Sequence, residues 1–197
     1  MKLSGTLSSG ADPVAPAAED ERRLEAEVRR AAIDQLLAGA SLAESFHVLL
    51  LFLVAALVWS SLALDLWIGW ISAVVAAVAL RTWWRLRLRW RMPFADEALR
   101  GLRLTVAGVG LAWGVGAAAA IPGLQLHESA LLLVVLAGII AGGTSTLAGD
   151  QPSFRALLIA ALAPLPFAFL LQGQARFQTI AIVLIVAFAV GMDRAHT

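Results

Sequence analysis

Between residues 46 and 192 the sequence contains six apolar stretches whose centres carry no Lys, Arg, Asp, Glu or His. They cover 46–63, 64–82, 102–121, 129–148, 154–171 and 177–192. A helix of about 20 apolar residues crosses the hydrocarbon of a bilayer. In that solvent each backbone N–H and C=O must be satisfied within the segment, so such runs fold as helices. Stretches of 16–20 residues fit short spans that run nearly normal to a thin membrane. The expected fold is therefore an all-α integral membrane protein of six transmembrane helices.

Composition agrees. Of 197 residues, 60% are hydrophobic and 15% charged, whereas a soluble domain is roughly 25% charged. Six spans occupy 46–193 and leave no length for a soluble catalytic domain. The absence of Cys excludes disulfides and thiolate chemistry.

Residues 1–18 are small, polar and Pro-containing, and read as a disordered tail. They lack the apolar core of a signal peptide. Residues 19–45 read as a cytoplasmic juxtamembrane helix. Glu19, Asp20 and Glu21 crowd its start, where the helix dipole favours acids. Leu24, Val28, Ala32 and Leu36 form a weak apolar stripe, and Glu25 and Arg29 are spaced to pair. Either an interfacial, dimerising helix or a solvated one fits this pattern. Residues 194–197 form a short stub.

Of 15 Lys and Arg, 14 fall on the side of the N-terminus when six spans are threaded, and only Arg176 falls opposite. The positive-inside rule then predicts both termini in the cytoplasm. Much of that charge lies in the second-to-third connection. There Arg81, Arg85, Arg87, Arg89 and Arg91 interleave with Trp83, Trp84 and Trp90. Trp and Arg favour the headgroup layer, so these eight residues are expected to contact lipid and fix topology. Such a run also binds nucleic acid in other settings. Flanking by membrane on both sides argues against that here.

With span centres free of ionisable groups, a proton-coupled pump or a charged filter is not expected. His47, His127 and His196 are isolated, so neither a metal site nor a cofactor is expected. Gly138 and Gly142 form a G-x-x-x-G, and Thr144, Ser145 and Thr146 follow with hydroxyls. Two readings apply: close helix packing with a capped end, or a polar pocket that senses a ligand. Ser145 has no base at its depth, so a nucleophilic role is not expected. Pro164 and Pro166 should kink the fifth span. Trp113 lies deep in the third span, beside a second G-x-x-x-G at Gly110 and Gly114.

The order Leu111-Ala-Trp113-Gly114, Ala137-Gly-Ile-Ile-Ala-Gly142, Asp150-Gln-Pro-Ser-Phe154-Arg-Ala, Ala163-Pro164-Leu-Pro166 and Leu171-Gln-Gly173 resembles the multi-span N-terminal input region of bacterial signalling proteins. In that group a membrane module feeds a diguanylate cyclase (GGDEF) domain, a GGDEF–EAL pair or a sensor histidine kinase. The resemblance covers roughly 45–193 and implies a bacterial inner-membrane location. It also implies a last helix that hands over to a cytoplasmic output domain. The expected partners are the lipid bilayer and either a second copy of the chain, as a homodimer, or a cytoplasmic output domain or partner. The 197 residues contain neither a GGDEF signature nor a phosphoacceptor helix, so the expected role is a non-catalytic sensory or regulatory module. Its candidate ligand or signalling residues are Trp113, Gly138, Gly142, Thr144, Ser145, Thr146, Pro164 and Pro166. A small oligomeric transporter or permease subunit is the alternative.

Overall fold

The computed structural model describes residues 20, 24, 27, 28, 31, 33, 34, 44–56, 59, 61–90, 95–171 and 175–196. Among the described residues the chain is helical, with no strand. The helices are α1 (Glu44–Ala56), α2 (Leu64–Trp90), α3 (Ala95–Ala120), α4 (Leu126–Thr146), α5 (Gln151–Leu162), α6 (Leu165–Leu171) and α7 (Ala175–His196). A 3-10 turn, Ile121–Gly123, follows α3.

Among the described residues, four segments are long and apolar enough to cross a membrane: Leu64–Leu88, Asp96–Gly123, Leu126–Thr146 and Gln151–Leu170. The expected six are thus matched by four. Helix α1 is apolar but shorter, and many side chains of α7 lie outside the described residues. The tail 1–18, the Glu25–Arg29 pair, Ala32 and Leu36 also lie outside them. Leu24 and Val28 are helical and exposed, while Ile33 packs against the core.

The second-to-third connection is shorter than expected, since α2 runs on into it and α3 already begins at Ala95. Residues 81–90 form no loop, because α2 continues through them to Trp90. The reason is periodicity. Arg81, Trp84, Arg85 and Leu88 follow the helical repeat and turn inward, whereas Trp83, Leu86, Arg87 and Trp90 turn outward.

Helix α3 is the centre of the bundle. Leu102, Val106, Val109, Trp113, Ala117 and Ala120 form a buried stripe at three- and four-residue spacing. Leu104, Leu111 and Val115 lie on the opposite, exposed face. Lipid is as apolar as leucine, so packing rather than water exclusion must join such helices. Small residues on two faces of α3 permit that packing. Toward α5, a Cβ on Gly110 would stand 2.8 Å from the Leu157 carbonyl, and one on Gly114 would stand 2.8 Å from that of Ala160. Toward α2, the indole of Trp70 lies over Gly116 and that of Trp84 over Gly101, each filling the space a Cβ would take.

The fifth apolar stretch is broken as its prolines predict. Helix α5 ends at Leu162, Ala163 and Pro164 form a turn, and α6 starts at Leu165 with Pro166 in its first turn. Pro164 has no N–H to give the Ala160 carbonyl. That same carbonyl faces Gly114, so the proline break and the glycine seam meet at one point.

Candidate functional site

The eight ligand or signalling candidates do not form a single pocket. Trp113 is fully buried. Its ring meets Trp70 edge-on at 5.9 Å and His47 at 6.3 Å. Trp70 in turn stacks on Trp67 at 5.9 Å, and Trp67 meets Trp59 at 6.2 Å. Five rings from α1, α2, α3 and the α1–α2 connection therefore touch in series, ending at His47.

Gly138 and Gly142 lie elsewhere. A Cβ on either would meet nothing within 4 Å, so this G-x-x-x-G is no packing seam within the chain. Gly143, beside it, is the residue that packs, against Leu157 and Phe154. Thr144 donates to the Ala141 carbonyl, while Ser145 and Thr146 both donate to Gly142. These hydroxyls bond back onto carbonyls of their own helix, three or four residues earlier, as Ser and Thr inside a helix commonly do. Pro164 and Pro166 stand at the break between α5 and α6, half-buried.

The arginine and tryptophan run divides into two groups. Trp83, Arg87 and Trp90 are exposed, and the Arg87 guanidinium sits 5.5 Å from both the Trp83 and Trp84 rings. This part suits a headgroup layer. Trp84 is half-buried on Gly101. Arg81 does not share that exposed face: it is only 6% exposed. Arg85 is also withdrawn, and its Nη2 donates to Glu44 Oε2 at 2.8 Å. Arg91 and the side chain of Arg89 lie outside the described residues.

Glu44 and His47 lie one turn apart on α1, and Arg81 and Arg85 one turn apart on α2. Arg81 is within electrostatic reach of both His47 and Glu44. Four buried polar atoms in this cluster have no hydrogen-bond partner: Glu44 Oε1, His47 Nδ1, Arg81 Nε and Arg85 Nε. A buried polar group without a partner is costly and calls for an explanation. Among the described residues no group of three His, Asp or Glu is placed to hold a metal ion.

A second polar centre sits where α3 and α5 begin. Arg103 Nε and Nη2 donate to the two oxygens of Asp150, at 2.9 and 2.7 Å. Asp150 is the N-cap of α5 and also accepts from the Ser153 amide and hydroxyl. Burial pushes the Asp150 carboxyl up, but the bonds from Arg103 and Ser153 outweigh it and hold the group below its usual value. Close by in sequence, Arg155 pairs with Asp193 of α7 at 2.6 Å, in an exposed position. At the other end of the bundle the Ser61 hydroxyl donates to Glu128, which closes a capping box with Gln125 at the start of α4. Among the described residues, the cross-helix ion pairs Glu44–Arg85, Arg103–Asp150 and Arg155–Asp193 thus lie at the arginine-rich end.

No protein-family model, curated protein or solved structure matches the chain.

Local sequence pattern assigns no site role to Arg103, Asp150 or Glu44. Asp150 carried a local signal, since Asp-x-x-Ser before an apolar run is an N-cap pattern. Its partner Arg103 is 47 residues away, and no local pattern pairs the two.

Proposed function

We propose that this protein is a membrane-embedded sensory or regulatory module of a bacterial signalling system, with six spans, both ends in the cytoplasm and no catalysis of its own. One observation carries the reading. The broken helix α5–α6 rests its proline turn on the glycine seam of α3, and α7 packs outside it against α6, α5 and α4. The buried core takes residues from α1 to α6 and, among the described residues, none from α7. Ile185, Phe188 and Ala189 of α7 pack against it, and Arg155 ties the helix end through Asp193. A helix seated on both halves of the α5–α6 break is suited to move when that break repacks, since packed interfaces switch between discrete arrangements. A ligand that prefers one packing by a few kcal/mol shifts the population.

The test joins a diguanylate cyclase domain after Thr197 and reads cyclic dinucleotide output in bacterial membranes. Pro164→Ala removes the first break in α5–α6, and Asp193→Ala releases α7. Both are expected to change basal output, and Gly138→Ala, in open space, is expected to leave it unchanged. Equal output from all three variants and the parent sinks the reading. Solute flux into proteoliposomes carrying this chain alone would favour the permease alternative.

A further inference from the structure

The buried charges where α1 begins and α2 ends do not balance. Arg81 is 6% exposed, and the Arg85 side chain 13%. Among the described residues the carboxylate facing them is Glu44, whose Oε2 is taken by Arg85. His47, 6% exposed, adds a ring nitrogen and no negative charge in either form. The cluster therefore holds two guanidinium charges against one carboxylate. Desolvating a cation without a counter-charge is strongly unfavourable. The orphaned atoms specify what is missing. Arg81 Nε and Arg85 Nε are donors without acceptors, His47 Nδ1 is a third donor as the N–H tautomer, and Glu44 Oε1 is an acceptor without a donor. One monoanion with several oxygens, bearing a hydroxyl, would satisfy them all. Guanidinium groups match the oxygens of a phosphate particularly well.

We propose that Arg81, with Arg85 and His47 beside it, binds the phosphate of a single phosphate-bearing anion whose hydroxyl donates to Glu44. The anion restores neutrality, so the site binds one charge and not a layer of them. Its source is either the headgroup of an anionic phospholipid or a free phosphate ester bound in its singly charged form. Trp83, Arg87 and Trp90, exposed on the same stretch of α2, mark this level as a headgroup layer and favour the lipid. The site is independent of any signalling output, so it stands or falls apart from that role.

The full chain is reconstituted in phosphatidylcholine nanodiscs with or without phosphatidylglycerol, then stripped, and retained lipid is counted by native mass spectrometry. One phosphatidylglycerol is expected to stay in preference to phosphatidylcholine. Arg81→Gln is expected to weaken its retention roughly tenfold or more, as loss of a buried charge partner does. Arg87→Gln, on the exposed face, is expected to leave it intact. Glu44→Gln keeps an oxygen to accept the hydroxyl while removing a negative charge beside the anion, and is expected to strengthen it. Displacement by glycerol phosphate at modest concentration would assign the site to a free phosphate ester. Retention of both lipids alike, with no displacement by glycerol phosphate, overturns the proposal. So does an Arg87→Gln loss as large as that of Arg81→Gln. If Arg81→Gln does not fold, wild-type protein decides. Phosphatidylglycerol or glycerol phosphate must slow phenylglyoxal modification of Arg81, and modification at an unchanged rate with both refutes the site.

Discussion

Arg103 on α3 grips Asp150, the residue that caps α5, through two parallel bonds of 2.9 and 2.7 Å. The contact joins the two helices whose middles meet through Gly110 and Gly114. It fixes the axial position of α5, so the Ala160 carbonyl comes to lie against Gly114. Asp150→Ala should destabilise the protein by about 2–3 kcal/mol, roughly 1 from the lost cap and the rest from the unpaired Arg103. Asp150→Asn keeps a capping oxygen and should cost about 1 kcal/mol. Reversible unfolding in mixed micelles, followed by tryptophan fluorescence, measures both.

The same pair gives the protein an acid limit. The Asp150 carboxyl is held below its usual value in the folded state. A group with a depressed folded pKa adds stability that is fully present above its unfolded pKa, about 3.9, and is lost as pH falls through the folded value. This part of the stability should therefore be constant from neutral pH down to about pH 5 and decline below about pH 4. Asp150→Asn should flatten the decline. Melting temperatures of the two proteins in detergent, taken across that range, test the sign. A parallel fall in both would assign the acid sensitivity to other groups.

The two G-x-x-x-G patterns look alike in sequence and should behave in opposite ways. Gly114→Ala places a methyl group against the Ala160 and Ala161 carbonyls, and backbone cannot yield as a flexible side chain does. Overpacking of this kind costs about 1–3 kcal/mol. Gly138→Ala and Gly142→Ala meet open space and should be neutral or stabilising by up to about 1 kcal/mol, since alanine is the better helix former. Thermal stability of the three single variants decides between them.

That contrast shows what was legible in the chain. Helix positions followed from the apolar runs, and the break at Ala163–Pro164 followed from proline chemistry. Which glycines face a neighbour did not follow, because a G-x-x-x-G records only that a helix has a smooth strip, not whether another helix lies on it. The run from Arg81 to Trp90 reads as lipid-facing from composition. Only the helical continuation of α2 turns Arg81 and Arg85 inward, toward Glu44 and His47 on α1. Pairings 41 and 47 residues apart, Arg85 with Glu44 and Arg103 with Asp150, leave no local trace.

Trp113 is expected to matter chiefly as packing. It is fully buried and lies edge-on to Trp70, beside His47. Trp113→Ala should cost about 3–5 kcal/mol, as large-to-small changes of aromatic residues do in cores. Trp113→Phe should cost distinctly less, because the indole N–H has no partner to lose. Denaturant midpoints of the two variants separate a filled core from a ligand pocket, where both would be tolerated.

Ion pairs at the arginine-rich end should differ sharply in strength. Arg155 and Asp193 are 49% and 36% exposed, and Arg85 and Glu44 each 13%. Water and salt screen the first pair, so Asp193→Ala should cost little. Glu44→Ala removes the described carboxylate facing both Arg81 and Arg85 and leaves two buried cations facing each other. Breaking a buried pair from one side costs about 3–5 kcal/mol. Added salt should weaken the Arg155–Asp193 contribution and barely alter that of Glu44, because the buried pair is shielded from counterions. Stabilities of both variants at low and high salt test the ranking. Equal costs would mean that water reaches Arg81 and Arg85 as freely as it reaches Arg155.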